Sequence, residues 1–404
     1  MTQPVSRICR SFWIAGFEAA CHVNRHGVRL DLVAATQHDL EIQADYRRVA
    51  ETGFLTVREG MRWHLIERGG AYDFGSVVPM LRAARRAGIQ VIWSLFHYGW
   101  PEGLELLSPE FVRRFARYCA AAARVVAGET GDAPLYIPVN EISYVAWAAG
   151  EEGYIYPDGK GRGATVKRQL VRAAVAAMEA ILDVDPRARF VHVDPLIHVV
   201  PPRDRPELAG AAAEYRAAQF HAWDMIAGRS CPELGGRSRY LDIVGANFYH
   251  ANQFEYPDQR LRWEDEPRDP RWVPLRHLLA ELHQRYGRPL LIGETSHFGS
   301  GRGRWIREVA DEVRAARADG VPVEGLCVYP IIDRPDWDDP GHWHHSGLWE
   351  LRRGEDDRLE RVACLEYVEE LRRARAALEP SPPAPERRLA SSGSGPAPAP
   401  APFG

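Results

Sequence analysis

Eight times along this chain, a short run rich in Val, Ile, Phe, Tyr and Trp gives way to a longer Ala/Arg/Leu/Glu stretch of helical period. Runs of that length read as buried strands, and the periodic stretches between them read as amphipathic helices. Parallel neighbours need such crossovers, so repeated βα units build a parallel sheet covered by helices. The expected strands are 12–20, 54–63, 90–97, 135–141, 189–195, 241–249, 289–294 and 325–332; the expected helices are 39–52, 74–88, 109–128, 165–184, 206–228, 274–287, 304–320 and 358–378. Gly53, Gly88, Gly287 and Gly320 each follow an apolar periodic stretch, where a helix commonly stops. Eight units closing on themselves make a (β/α)8 TIM barrel, an α/β fold. The competing open doubly wound sheet lacks its Gly-x-Gly-x-x-Gly after the first strand.

One catalytic domain of residues 1–378 follows, and beyond it residues 379–404 turn to Pro, Ala, Ser and Gly, a composition expected to stay a disordered tail. The formal charge of −4 gives no field for nucleic acid or an anionic membrane surface. No run of 18 apolar residues or signal core stands out, so the expectation is a cytoplasmic protein with neither nucleic-acid nor membrane partner. The six cysteines contain no C-x-x-C pair, which disfavours zinc ribbons, redox pairs and disulfide scaffolds. Lys160 and Lys167 are the two lysines, and neither follows an apolar strand or sits in a P-loop. Schiff-base, pyridoxal and P-loop chemistry are thereby disfavoured.

In such a barrel the reactive groups sit at the C-terminal ends of strands. Strand 4 ends in Asn140-Glu141 and strand 7 in Glu294-Thr295, and these strands face each other across the barrel mouth. Two opposed carboxylates about 5 Å apart are what double-displacement glycoside hydrolysis needs, one as nucleophile and one as acid and then base. Asn247 and Tyr249 alternate along strand 6 and so share a face. Tryptophans at a barrel mouth, here Trp337 and Trp343, suit stacking on the apolar face of a pyranose.

These motifs resemble those of the retaining (β/α)8 glycosidase clan, and within it glycoside hydrolase family 1, the β-glucosidase family. Asn140-Glu141 is similar to the clan's strand-4 pair, with Glu141 as acid/base; Leu291-Ile292-Gly293-Glu294-Thr295 is similar to its strand-7 nucleophile segment. The stretch from Ser94 to Pro101 resembles the strand-3 end, which implies a sugar-binding role for His97. Arg58, with Trp63 five residues on, and Tyr249 in Gly245-Ala246-Asn247-Phe248-Tyr249 match the residues that hold the nucleophile ionised. Tyr329 to Trp337 resembles the strand-8 loop, which gives Asp336 and Trp337 to the sugar. The resemblance implies catalytic Glu141, Glu294, Arg58, Asn140 and Tyr249, and substrate-binding His97, Asn247, His22, Asp336 and Trp337. It implies a carbohydrate substrate and no metal or organic cofactor.

Departures fall in the sugar pocket. Ile142 replaces the usual proline after the acid/base, the strand-1 glutamine has no match beyond His22, one residue out of register, or Glu18, and Asp336 stands for a glutamate. They motivate two relatives of the hydrolase reading, a transglycosidase and a non-hydrolytic sugar-binding protein. Gly299–Ser300–Gly301–Arg302–Gly303–Arg304 could cradle an anion at a helix start, though a solvated loop is the plainer reading. His342, His344 and His345 raise a metal-dependent hydrolase as a further rival, but strand 1 carries no His-x-His.

Overall fold

The computed structural model describes residues 8–378, so the Pro/Ala-rich segment 379–404 lies outside the described residues. Eight strands form the expected closed barrel: β1 (Trp13–Gly16), β2 (Thr56–Gly60), β3 (Gln90–Ser94), β4 (Leu135–Ile137), β5 (Arg189–Pro195), β6 (Ile243–Asn247), β7 (Leu290–Thr295) and β8 (Val323–Val328). Each strand pairs in parallel with its sequence neighbours, and β8 closes on β1 through Trp13–Leu326, Ile14–Cys327 and Ala15–Val328. The observed strands are mostly shorter than the apolar runs, because the run continues into buried loops at the barrel mouth after pairing ends.

The main outer helices are α1 (His38–Glu51), α2 (Val78–Ala87), α3 (Pro109–Glu129), α4 (Gly163–Leu182), α5 (Ala209–Ala217), α6 (Leu275–Tyr286), α7 (Gly301–Ala318) and α8 (Leu365–Leu378). Gly88 and Gly287 take the left-handed conformation at the ends of α2 and α6, as the sequence pattern requires. α3 starts on Ser108, whose hydroxyl accepts from the Phe111 N–H, with Pro109 in the first turn.

Two expectations are corrected. Residues 358–364 are not helical: Leu359–Ala363 pairs antiparallel with Trp349–Arg353 across a tight turn containing Gly354 and left-handed Asp357, and α8 begins only at Leu365. The segment 206–228 is not one helix but a 3-10 turn, α5, a second 3-10 turn and a short helix, His221–Ile226.

Apolar side chains fill the space on both sides of the sheet. Ile14, Ile92, Leu135, Ile137, Val191, Val193, Ile243, Leu291 and Cys327 form the barrel interior, while a larger aromatic and aliphatic layer lies between strands and helices. The interior leaves a cavity of about 10 Å³ beneath Arg58, at the lower limit for one water. The barrel is therefore a packed core capped by charge. Among the described residues, no helix is long and apolar enough to cross a membrane.

Candidate active site

The charged cap above that core is the candidate site. Glu294 leaves β7 at an irregularity: Ile292 pairs with Ala246 and Glu294 with Asn247, and on the other edge Ile292 pairs with Leu326 and Thr295 with Val328. The register shift falls at Gly293, and a bulge of this kind re-aims the next side chain. Gly293 is required there, since a Cβ would come within 2.5 Å of Asn247 Oδ1 and 2.7 Å of Val193 Cγ1.

Arg58 and Tyr249 hold the Glu294 carboxylate. Arg58 Nη1 lies 2.7 Å from Oε1, a charge contact, while its hydrogen bond goes to the Gly293 carbonyl at 2.8 Å. Tyr249 donates its hydroxyl to Oε2 at 2.6 Å. Burial, then the Glu294 charge, keeps the Tyr249 hydroxyl well above its usual range, so it stays a donor. Burial also opposes the Arg58 charge, but the neighbouring Glu294 outweighs it and the guanidinium is held charged.

Glu141 sits opposite, just past β4, with φ 47° and ψ 64°, a left-handed backbone that a glutamate seldom adopts. Its N–H donates to the Val193 carbonyl at 3.1 Å, and that of Asn140 to Phe96 at 2.9 Å. Asn247 Nδ2 donates to Oε1 at 2.9 Å and the Tyr98 hydroxyl to Oε2 at 2.5 Å. These bonds favour the ionised form, yet burial and the Glu294 carboxylate win and push Glu141 up to about 8. The two carboxyl groups thus occupy contrasting environments, one neutralised by arginine and one buried among neutral donors.

Asn140 links the halves. Its Oδ1 accepts from Arg58 Nη2 at 2.5 Å, and its Nδ2 donates to Tyr98 Oη at 2.8 Å and reaches His97 Nε2 at 3.3 Å. Burial, then the Arg58 charge, holds His97 well below the usual histidine range, so its ring is neutral. Glu18 closes the strand-1 side, accepting from Tyr329 Oη at 3.0 Å and pairing with Arg334 Nε at 3.2 Å.

Several buried polar atoms point to a ligand. His22 is 1% exposed, and neither of its ring nitrogens has a partner; Asn247 Oδ1 and Trp337 Nε1 are likewise unpaired. Such atoms are costly to leave unsatisfied, and sugar hydroxyls are of the right chemistry to pair them. Burial, then Arg29, lowers His22 to about 3, which leaves a neutral ring that both donates and accepts. The His22 and Trp337 rings lie 4.7 Å apart, edge to face.

Nine of the ten residues expected from sequence are thereby joined by bonds or ring contacts. Asp336 is not: its Oδ2 meets His344 Nε2 at 3.0 Å and its Oδ1 caps the N–H groups of Asp338 and Asp339. Trp63 packs in the outer layer against Phe111, Phe115 and Tyr118 rather than at the site. The anion cradle does not form around Arg302, which is committed to Gly299, Gly347 and Glu350, while Arg304 pairs with Glu266. Tyr98, Tyr329 and Arg334 were not singled out as site residues from sequence. Tyr98 was the most legible of these, an aromatic directly after His97 whose hydroxyl needs a partner once buried.

No protein-family model matches this sequence, and no curated protein sequence is detectably similar to it. Solved structures do match in shape. An AHE enzyme from Alicyclobacillus herbarius superimposes with a TM-score of 0.69 at 19% identity, covering 85% of this chain and 88% of its own. A β-glucosidase from Thermotoga maritima in complex with glucoimidazole gives 0.70 at 15%, covering 91% and 98%. A β-glycosidase from Pyrococcus horikoshii gives 0.69 at 18%, covering 84% and 85%. At these identities what the chain shares with them is the fold, the closed (β/α)8 barrel.

Proposed function

We propose that this chain is a retaining β-glycosidase acting in the cytoplasm. The observation that carries the reading is the pair of strand-end glutamates with opposite electrostatics, Glu294 against Arg58 and Glu141 raised to about 8 among neutral partners. That is the division of labour a double displacement needs. Glu294 attacks the anomeric carbon as protonated Glu141 gives its proton to the departing oxygen, and a glycosyl ester forms on Glu294. Glu141, now ionised, takes a proton from water, which attacks the same carbon and releases Glu294. The Tyr98 and Asn247 donors stabilise Glu141 in its ionised phase. A β-glucosidase in complex with glucoimidazole stands among the fold relatives, which supports a carbohydrate ligand for a barrel of this kind.

His22, Asn247 and Trp337 supply the unpaired groups for sugar hydroxyls, with His97 and Glu18 beside them. Asn140, already bonded to Arg58 and Tyr98, chiefly orients both carboxyl-bearing halves. Asp336 acts through the loop that holds Trp337. Transfer to a sugar or alcohol acceptor shares the covalent intermediate, and exposed Trp147, next to Tyr144 and so to Tyr98, offers an acceptor a stacking surface.

The test is intact mass after incubation with a panel of 2-deoxy-2-fluoro β-glycosides. Wild type should gain one glycosyl unit and Glu294→Gln none. Equal labelling of both proteins would remove the nucleophile assignment, and no labelling with any sugar would favour a non-hydrolytic sugar-binding protein.

A further inference from the structure

We propose that His250, Glu264 and His297 form a binding site for a zinc-class divalent metal ion, separate from the carboxylate pair and independent of its sugar chemistry. His250 directly follows Tyr249 beyond β6, His297 lies three residues beyond Glu294 after β7, and Glu264 comes from the excursion between β6 and α6. One ligating atom from each lies within 4.8 Å of the others. His297 Nε2 and Glu264 Oε1 are in hydrogen-bond contact at 3.1 Å, a separation also close to the roughly 3.4 Å edge of a tetrahedron with metal–ligand bonds of about 2.1 Å.

A second observation points the same way. His250 is 4% exposed, and its Nδ1 is buried with no hydrogen-bond partner. The His250 and His297 rings lie 4.1 Å apart, and Trp263, Trp305 and Phe298 wall them in, an apolar surround that limits solvent access to the pair. His297 Nδ1 lies against the Phe298 backbone, 2.7 Å from its nitrogen and 3.0 Å from its carbonyl oxygen, which leaves Nε2 as the ring atom that faces Glu264. Space for that ring is reserved at Gly301, where a Cβ would fall 2.3 Å from His297 Nδ1.

Two imidazoles and one carboxylate favour zinc, with cobalt or nickel as analogues, over magnesium or calcium, which take oxygen shells. Arg260 Nη2, 3.1 Å from Glu264 Oε1, holds the carboxylate ionised and in place. With three protein ligands, a fourth position is left for water. An ion here would tie together the segments that follow Tyr249 and Glu294, bracing the nucleophile's side of the mouth. Of the histidines flagged in the sequence, His344 and His345 turn instead to Asp336 and Glu350.

The full-length protein, stripped with chelator, is titrated with zinc by calorimetry and with cobalt by visible absorption. One zinc per chain and the intense bands of four-coordinate cobalt are expected. Glu264→Gln, half-exposed and so tolerant of change, should bind at least about tenfold more weakly, as should His250→Gln, while His344→Gln should match wild type. Zinc should raise the melting temperature of wild type and of His344→Gln but not of Glu264→Gln. Substoichiometric zinc in wild type, binding unchanged in Glu264→Gln, or binding lost in His344→Gln would each overturn the assignment.

Discussion

At the scale of single residues, the acid/base role proposed for Glu141 comes with a cost in stability. Unfolded, its carboxyl loses its proton near the ordinary value of about 4.3; folded, burial and the Glu294 charge hold it to about 8. Between those values the native state binds the extra proton, so its contribution to stability falls as pH rises. Glu141→Gln removes that penalty. The variant should lose turnover of substrates with poor leaving groups by about a thousandfold or more, yet melt higher than wild type, the gap growing from pH 5 to 8 to on the order of 1–3 °C. Parallel thermal scans across that range check the sign; a gap that shrinks with pH would remove the assigned protonation. Tyr98→Phe removes a donor that favours ionised Glu141. The basic limb of kcat/KM should therefore move to higher pH, with a loss of about tenfold or less near pH 6. The glutamates, Asn140 and Tyr249 were legible because each stands at the end of an apolar run, and Arg58, inside its run, through the family resemblance. Tyr98 was less so, because its contact with Glu141 depends on a left-handed backbone, φ 75°, that the sequence does not announce.

At the scale of elements, β7 shows how a strand is bent to a task. Gly293→Ala would drive a methyl into Asn247 and Val193. Overpacking of this kind costs about 1–3 kcal/mol, and because Asn247 holds Glu141 while Gly293 holds Arg58, displacement there should lower kcat about a hundredfold. Steady-state kinetics together with urea unfolding separate the two effects; a variant stable but fully active would show that the bulge aims nothing. The segment after β4 carries a different expectation. Tyr144 and Trp147 lead outward from Tyr98, at ring separations of 5.5 and 5.9 Å. Trp147→Ala should raise KM several-fold for aryl β-glycosides while leaving kcat near wild type, as the loss of one stacking contact of about 1 kcal/mol implies. Strand and helix order was readable from periodicity because each βα unit buries one apolar face. The hairpin at 349–363 was not, because Leu359, Arg361 and Ala363 alternate over too few residues to outweigh the helical pattern of the α8 segment that follows.

At the scale of the whole molecule, that hairpin is bolted to the barrel by charge. Arg361 reaches both oxygens of Asp45 at 2.9 Å, and His38 bridges Asp45 at 2.8 Å and Glu59 at 2.9 Å, all buried. Burial works against a charged His38, but Glu59 and Asp45 prevail and raise it to about 9. The resulting stability is present in full below about pH 6.5 and drains away as pH rises toward 9. Arg361→Ala takes one cation from buried Asp45, which keeps His38 and Arg48, and should cost about 1.5–3 kcal/mol in chemical denaturation; a loss below about 1 kcal/mol would show that the hairpin stands apart from the barrel's cooperative unit. None of this network was legible in the sequence, since its bonded partners lie up to 316 positions apart and each reads alone as a surface charge. The left-handed backbone at Glu141 carries a consequence of another kind. Asparagine or glycine would sit there with less strain and no buried acid, so heat resistance and turnover pull residue 141 in opposite directions. A library of variants selected only for surviving heat should therefore shed its glutamate at that position early, and a lineage freed from the need to cleave its ligand would drift the same way.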